Sequence, residues 1–240
     1  VFVSLISVVF FAMVSSVAAA DNVKIAYIDP LSGPFAGVGD AGYKHFQYNA
    51  ELINANGGVL GGRKFEIVPF DNKISAKESL IQLKNAIDQG IRIIIQGNGS
   101  GVAGALIGAI EKHNTRNPEN PVIYLNFAAV TPAFTNENCS FWHFRFDAHV
   151  DMKIAAITDY IQETPEIKKV YMINQDYVFG HSVSTAAKSM LNKKRPDIEI
   201  VGDTFTPLGK VKDFSPYIAK IQASGADTVI TGNWGADMSL

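Results

Sequence analysis

The stretch that decides the fold spans residues 93–104 and reads IIIQGNGSGVAG. Three isoleucines run into a cluster of glycines with one serine, and the residues that follow, ALIGAIEKHN, have a helical pattern. An apolar strand, a glycine-rich turn and a helix form one repeat of an open parallel sheet. In such sheets the helix N-termini present free N–H groups at the carboxyl ends of the strands. The stretch therefore predicts an anion-binding loop at Ser100.

The same loop fits the dinucleotide fingerprint G-x-G-x-x-G through Gly99, Gly101 and Gly104. A nucleotide is disfavoured because the loop follows the third strand of its series, not the first, and because the next strand, PVIYLNF (121–127), lacks a closing acidic residue. The 240 residues contain no G-x-x-x-x-G-K-[ST] motif either. The same N–H groups suit a carboxylate, to which Ser100 would add a hydroxyl. A tight turn without a ligand is the remaining alternative.

Strands and helices alternate on both sides of this loop. VKIAYIDP (23–30) reads as a buried strand, the following residues through 40 as a Pro/Gly loop, and residues 43–56 as a helix. A second series begins near residue 150. The alternation predicts an α/β fold of two Rossmann-like lobes with parallel sheets, over residues 21–147 and 148–240, joined by a hinge at residues 145–148. A new helix starts where the sequence stops, so we expect the second lobe to be incomplete.

Residues 1–20, VFVSLISVVFFAMVSSVAAA, form an apolar run that ends in an A-x-A pattern before Asp21. This pattern predicts a secretory signal peptide, although the usual Met and basic segment are missing from it. A transmembrane anchor is the alternative, which four serines and the small residues at the end of the run disfavour. Cys139 is the only cysteine of the sequence, so no internal disulfide is expected. We therefore predict export to the periplasm.

The charge of the chain argues against a nucleic-acid partner, and the placement of its candidate metal ligands argues against a metal site. The chain is 47% hydrophobic and 18% charged, its formal net charge is −2, and its basic residues are scattered. Candidate metal ligands lie close together in sequence at His143, Asp147, His149 and Asp151. Residues 143–147 read as a strand end and residues 149–151 as a helix start, so these side chains would not converge on one ion. We expect no nucleic-acid surface, no metal and no cofactor.

An enzymatic function is weakly indicated. GHSVS (180–184) follows a strand and opens a helix, as a nucleophile elbow around Ser182 would. The acid and the histidine of a triad should follow the serine, and no histidine follows His181 in the sequence. A hydrolase is therefore a minor alternative, and no catalytic residue is assigned.

Six segments, in order along the chain, resemble one protein family. They are IAYIDPLSGPFAGVGDAG, ELINANGGVLGGRKFEIVPFDN, GNGSGVAGA, AAVTPAFT, INQDYVFG and DFSPYIAKIQASGADTVITG. The chain resembles the type I periplasmic binding proteins of ABC importers, in their leucine/isoleucine/valine-binding branch. The resemblance implies a monomeric periplasmic protein whose two lobes close on a small molecule and deliver it to the permease subunits in the membrane. A sensor or regulator of the same fold, without transport, is the alternative.

The resemblance also implies a binding site. By position, Ser100 would hold the ligand carboxylate together with the N–H groups of Gly101 and Ala129. The other implied contacts are Val38, Ala128, Val130, Thr131, Phe179 and Trp234. The family's amino-acid binders have a threonine at the position of Val130 and a tyrosine at that of Phe179, so a more apolar pocket is expected, with Thr131 as a substitute hydroxyl. The residue that binds the ligand ammonium in those relatives would lie beyond residue 240. A branched-chain or other apolar amino acid, or an aromatic acid, is the expected ligand.

Overall fold

The computed structural model describes residues 21–240, and the predicted signal peptide, residues 1–20, lies outside the described residues. The first half of the described chain alternates strands and helices. Its elements are β1 (Val23–Asp29), α1 (Ala36–Ala55), β2 (Phe65–Asp71), α2 (Ala76–Asp88), β3 (Ile93–Gln96), α3 (Ser100–Arg116), β4 (Ile123–Asn126), a 3-10 helix (Pro132–Thr135) and β5 (His143–Arg145).

The first sheet is parallel throughout, with the strand order β2-β1-β3-β4-β5. One of its faces packs against α2 and α3, where Leu83, Leu106 and Ile110 are buried. The other face packs against α1 through the rings of Tyr27 and Phe46. A parallel sheet covered by helices on both faces buries its apolar strands completely, which explains why IIIQ carries no alternation.

The second half of the described chain forms a smaller sheet. Its elements are α4 (Val150–Gln162), β6 (Lys169–Gln175), α5 (Val178–Lys194), β7 (Glu199–Thr206), α6 (Ser215–Ala223), β8 (Thr228–Thr231) and α7 (Ala236–Ser239). The three strands are parallel in the order β7-β6-β8. Helices α4 and α5 cover one face with a buried cluster that includes Ile154, Val170 and Leu191, and α6 covers the other face around Phe214. The predicted α/β class with two parallel sheets is confirmed.

The chain passes from one sheet to the other between β5 and α4. Asn126 of β4 pairs with Arg145 at the end of β5, so the chain belongs to the first sheet up to this residue. Helix α4 begins at Val150, whose side chain is buried in the core of the second sheet. The predicted hinge at residues 145–148 lies in this connection, and its motion stays a prediction.

Candidate functional site

The strand order places a crevice at the carboxyl ends of both sheets. In the first sheet the chain returns from β2 across β1 to β3, so the loops after β1 and β3 diverge. In the second sheet the loops after β6 and β8 diverge in the same way. Ligands of open α/β sheets bind at such topological switch points.

A cleft of about 290 Å³ lies between these loops, at the lower end of the range for small-molecule sites. Both halves of the chain contribute to its wall. The lining residues are Val38, Gly97, Asn98, Gly99, Ser100, Ala128, Val130, Asp147, Lys153, Tyr177, Phe179, Trp234 and Gly235. Six of the nine predicted ligand contacts are among them: Val38, Ser100, Ala128, Val130, Phe179 and Trp234.

The loop after β3 brings a helix N-terminus to the cleft. Gly99 caps α3 with φ 90°, and Ser100 is the first residue of the helix. The Ser100 side chain is buried and makes no hydrogen bond to any other residue within 21–240. The first N–H groups of a helix have no partner within it, and the helix dipole favours an anion there. The end of α3 can therefore bind a negatively charged group with both N–H and hydroxyl donors.

A buried carboxylate holds this loop from behind. Oδ1 of Asp29, at the end of β1, accepts the Asn98 N–H at 3.0 Å, and Oδ2 accepts the Asn98 amide Nδ2 at 2.9 Å. Gln96 Nε2 donates to the Asn98 carbonyl at 2.6 Å and to Asp29 Oδ1 at 3.3 Å. Because Asp29 is fully buried, desolvation raises the pKa of its carboxyl to about 7, although the hydrogen bonds from Asn98 oppose the shift. These bonds fix the backbone that leads into Ser100.

In the loop after β4, the N–H of Ala129 does not make the predicted ligand contact. The side-chain Oδ1 of Asn126 accepts the N–H groups of Ala128 and Ala129 at 3.1 and 2.7 Å. Ala129 is 1% exposed, so its N–H is committed to Asn126 and does not point to the cleft as predicted. His143 Nε2 faces the Asn126 amide nitrogen at 3.1 Å and accepts from it, because that nitrogen is a donor. The loop is thus preformed, and Ala128 alone of the pair lines the cleft.

Two further predicted contacts lie outside the cleft lining. Gly101 is exposed in the first turn of α3, with its N–H among the free groups of the helix end. Thr131 is 3% exposed and belongs to a separate groove between the 3-10 helix and α5. Its carbonyl accepts a hydrogen bond from Arg145 at 3.0 Å. Thr131 does not line the cleft, and its role as a substitute hydroxyl stays a prediction.

Tyr177 supplies the hydroxyl group that sequence reasoning missed. It precedes α5, lines the cleft beside Phe179, and its Oη accepts the indole N–H of Trp234 at 2.8 Å. Burial raises the pKa of the Tyr177 phenol, so the group stays neutral and keeps its own proton to donate. The segment DYVFG carries two aromatic residues, and the family position pointed to Phe179 instead of Tyr177. The cleft therefore has a hydroxyl group that the prediction did not include.

An ion pair also reaches the cleft from the inter-lobe connection. Lys153 Nζ lies 2.7 Å from Asp147 Oδ2, and both residues line the cleft. The two side chains are 44% and 32% exposed, so water screens the pair and it contributes little stability. Its two charges cancel, which leaves the α3 N-terminus as the anion-attracting feature of the wall.

The other chemistries considered from the sequence find no matching geometry. Ser182 Oγ donates to the Val178 carbonyl at 2.8 Å, one turn back in α5. Residues 21–240 hold no group of three metal-ligating side chains that could share an ion. Within the same residues, none of the helices combines the length and hydropathy needed to cross a bilayer.

Comparison with known proteins places this architecture in a family. A family model described as periplasmic binding protein matches residues 22–240. The Leu/Ile/Val-binding protein homolog 4 of Brucella abortus is 36% identical over 224 residues, which are 93% of this chain and 53% of that protein. The chain thus spans about half the length of the curated relatives it matches.

Solved structures agree with this placement. A leucine-, isoleucine-, valine-, threonine- and alanine-binding protein from Brucella ovis, in a closed conformation, superposes with a TM-score of 0.76 at 36% identity and covers 91% of this chain and 56% of its own. A solute-binding protein of an R. palustris ABC transporter, in complex with benzoate, shares the fold with a TM-score of 0.76 at 20% identity, over 90% of this chain and 56% of its own. By its sequence, sheet order and cleft, the chain belongs to the type I periplasmic binding protein family.

Proposed function

We propose that this chain is the solute-binding component of an ABC importer in the periplasm. It captures a carboxylated small molecule between two lobes, residues 21–147 and 148–240, and delivers it to the permease. The observation that carries the proposal is a cleft lined from both sheets, with Ser100 and the α3 N-terminus at one wall. Relatives named as amino-acid-binding and benzoate-binding proteins support a carboxylate as the common feature of the ligand.

The proposed ligand is an apolar carboxylate. Val38, Val130, Phe179 and Trp234 line the cleft and offer aliphatic and aromatic surface to the body of the solute. The neutral Tyr177 hydroxyl would donate one hydrogen bond, which suits a carboxylate oxygen or a ring hydroxyl. A branched-chain or aromatic amino acid, or an aromatic acid without an amino group, fits this wall.

Calorimetry on Ser100→Ala tests the proposal. Leucine, phenylalanine, phenylpropanoate, benzoate and glutamate are first compared by thermal shift on the complete gene product, and the tightest binder is taken forward. Losing a hydrogen bond to a charged group costs about 1.5–3 kcal/mol, so Ser100→Ala should weaken binding roughly ten- to a hundredfold. Ser182→Ala is the matched control, because its hydroxyl bonds within α5.

Two outcomes would contradict the proposal. Equal affinity of Ser100→Ala and wild type would remove Ser100 from the site. Tight binding of glutamate, with none of the four apolar carboxylates bound, would show that the assigned ligand class is wrong.

A further inference from the structure

The side chain of Phe35 crosses from the first lobe to the second. Phe35 precedes α1, in the loop after β1, and is 3% exposed. Its ring packs on that of Trp234, which follows β8 of the second sheet, with centroids 4.4 Å apart and an interplanar angle of 36°. The burial of Phe35 therefore depends on a partner residue from the other half of the chain.

Two glycines in loops of the second sheet, Gly209 and Gly235, also contact the Phe35 ring. We call the space that these glycines and Trp234 form around the ring the socket. A Cβ atom added at Gly209 would lie 2.7 Å from the Phe35 ring, and one added at Gly235 would also lie 2.7 Å from it. Both glycines have a left-handed backbone, with φ 66° and 59°. A side chain at either position would meet both backbone strain and the ring. The socket wall is therefore bare backbone, shaped to receive an aromatic ring.

A buried carboxylate ties the two glycine loops together. Asp237 Oδ2 accepts the Gly209 N–H at 2.8 Å and the Gln175 amide Nε2 at 2.8 Å. Gln175 Nε2 also donates to the Trp234 carbonyl at 3.1 Å. Asp237 is 4% exposed and Gln175 is fully buried. Every one of these hydrogen bonds joins residues of the second lobe, so none of them depends on a hydrogen bond from the first lobe.

Trp234 connects the socket to the cleft. It lines the cleft, its indole N–H donates to Tyr177 Oη at 2.8 Å, and its ring contacts Phe35. We propose that Phe35 is a positioning residue that acts through Trp234. Its insertion into the Gly209–Gly235 socket sets the Trp234 ring against the solute and holds the lobes together over it. The inference rests on the proposed function for the binding of a solute in this cleft.

The first test observes the contact directly. The complete gene product is labelled with 5-fluorotryptophan, and the Trp234 resonance is assigned by its loss in Trp234→Phe. Removing an aromatic neighbour 4.4 Å away changes the local magnetic environment, so Phe35→Ala should shift this resonance. Phe141→Ala, which removes an aromatic ring that is 80% exposed, should not. An unshifted Trp234 resonance in Phe35→Ala, both without solute and with 10 mM leucine or benzoate, would overturn the proposal.

The second test measures dissociation by stopped flow, with leucine or benzoate as the probe. An aromatic pair changes an equilibrium by about two- to tenfold, and the effect should appear mainly as faster dissociation of Phe35→Ala. Gly235→Ala should act in the same direction by blocking the socket, and it provides a second variant if Phe35→Ala folds poorly. Gly225→Ala is the matched control, because Gly225 has a similar φ of 69° with no atom within 4 Å of an added Cβ.

The two tests separate this inference from the proposed function. Dissociation rates of Phe35→Ala and Gly235→Ala equal to that of Gly225→Ala would overturn the role of the socket while leaving solute binding intact. If neither leucine nor benzoate moves the wild-type Trp234 resonance, the proposed ligand class fails, whereas a Trp234 resonance that differs between wild type and Phe35→Ala without solute still supports the Phe35 contact.

Discussion

Asp29 shows how one residue supports the cleft without touching it. Its carboxyl is fully buried at the end of β1, and its hydrogen bonds come from the neutral groups of Asn98 and Gln96. A buried carboxylate without a cationic partner is costly, and this cost appears as the pKa of about 7. The carboxyl accepts both the backbone and the side-chain donors of Asn98, an arrangement that an apolar residue could not offer.

The raised pKa of Asp29 predicts a pH dependence of stability. In the unfolded chain an aspartate ionises near pH 4, whereas in the folded protein it stays protonated up to about pH 7. The stability that the protonated Asp29 carboxyl contributes to the fold is complete below pH 4 and is lost as the pH rises through about 7. From pH 5 to pH 8, the free energy of unfolding of the wild type should therefore fall by on the order of 2 kcal/mol relative to that of Asp29→Asn. Urea unfolding at the two pH values measures it.

Asp71 provides the control for this measurement. Burial acts to raise its pKa, but hydrogen bonds from Ser32 and from the N–H of Leu31 outweigh burial and lower it. Asp71 is therefore ionised at both pH values in both states, and Asp71→Asn should change stability equally at pH 5 and pH 8. If Asp29→Asn also changed stability equally at pH 5 and pH 8, this result would contradict the raised pKa assigned to Asp29.

At the scale of residues, sequence reasoning located the cleft but missed how its loops are held. Ser100, Phe179 and Trp234 could be named because strand ends and family positions point to them. Ala129 N–H is taken up by Asn126, three residues earlier in the same turn, and the Thr131 carbonyl is bonded by Arg145 at the end of β5. A local side-chain bond of this kind does not disturb the apolar period of the sequence, and the bonds from Arg145 to Thr131 and from Trp234 to Tyr177 join residues far apart in the chain, so none of the three leaves a periodic signal.

At the scale of elements, the glycines of this segment led to a wrong predicted start of α1. Residues 30–40 read as a Pro/Gly loop, whereas the helix begins at Ala36. A Cβ added at Gly39 would lie 1.7 Å from the Pro30 carbonyl oxygen, and one at Gly42 would lie 2.4 Å from Tyr27 Oη. These glycines allow the helix to approach β1 closely. Composition alone cannot distinguish a glycine that permits close packing from one that makes a turn.

Helix α4 shows a related limit of apolar spacing. Residues 150, 154, 157 and 161 have helical spacing, yet Ile157 is 42% exposed while Thr158 is fully buried. The Thr158 hydroxyl donates to the Ile154 carbonyl at 2.8 Å and accepts from Lys194 Nζ at 2.9 Å. A buried hydroxyl with both bonds satisfied costs little, so it can take the inward position.

The start of α3 yields an element-scale prediction with the two glycines on either side of Ser100. Gly99 has φ 90°, and an added Cβ would meet the Ile74 side chain at 3.3 Å, so Gly99→Ala should destabilise the fold by about 1–3 kcal/mol. Gly101 lies within the helix with open space around it, so Gly101→Ala should stabilise by about 0.5–1 kcal/mol. Urea unfolding of both variants measures the pair, and changes of equal sign would contradict this account of the loop.

At the scale of the whole molecule, the two switch points face each other across one cleft. Ser100 and Ala128 approach it from the first sheet, and Tyr177, Phe179 and Trp234 from the second. A solute held by both walls reaches its full set of contacts only when the walls are close together. Such a solute binds the closed arrangement more tightly than an open one, and this difference in affinity is what shifts the population of conformations.

Closure is therefore expected to accompany binding and to be visible in solution. We predict that saturating amounts of the tightest carboxylate lower the radius of gyration of the complete gene product, measured by small-angle X-ray scattering, through a hinge motion at residues 145–148. Ser100→Ala, at a solute concentration that half-saturates the wild type, should retain the larger radius, because its weaker anchor leaves most molecules unliganded. Superimposable scattering curves with and without solute, under conditions where calorimetry shows saturation, would mean that the lobes keep one fixed arrangement.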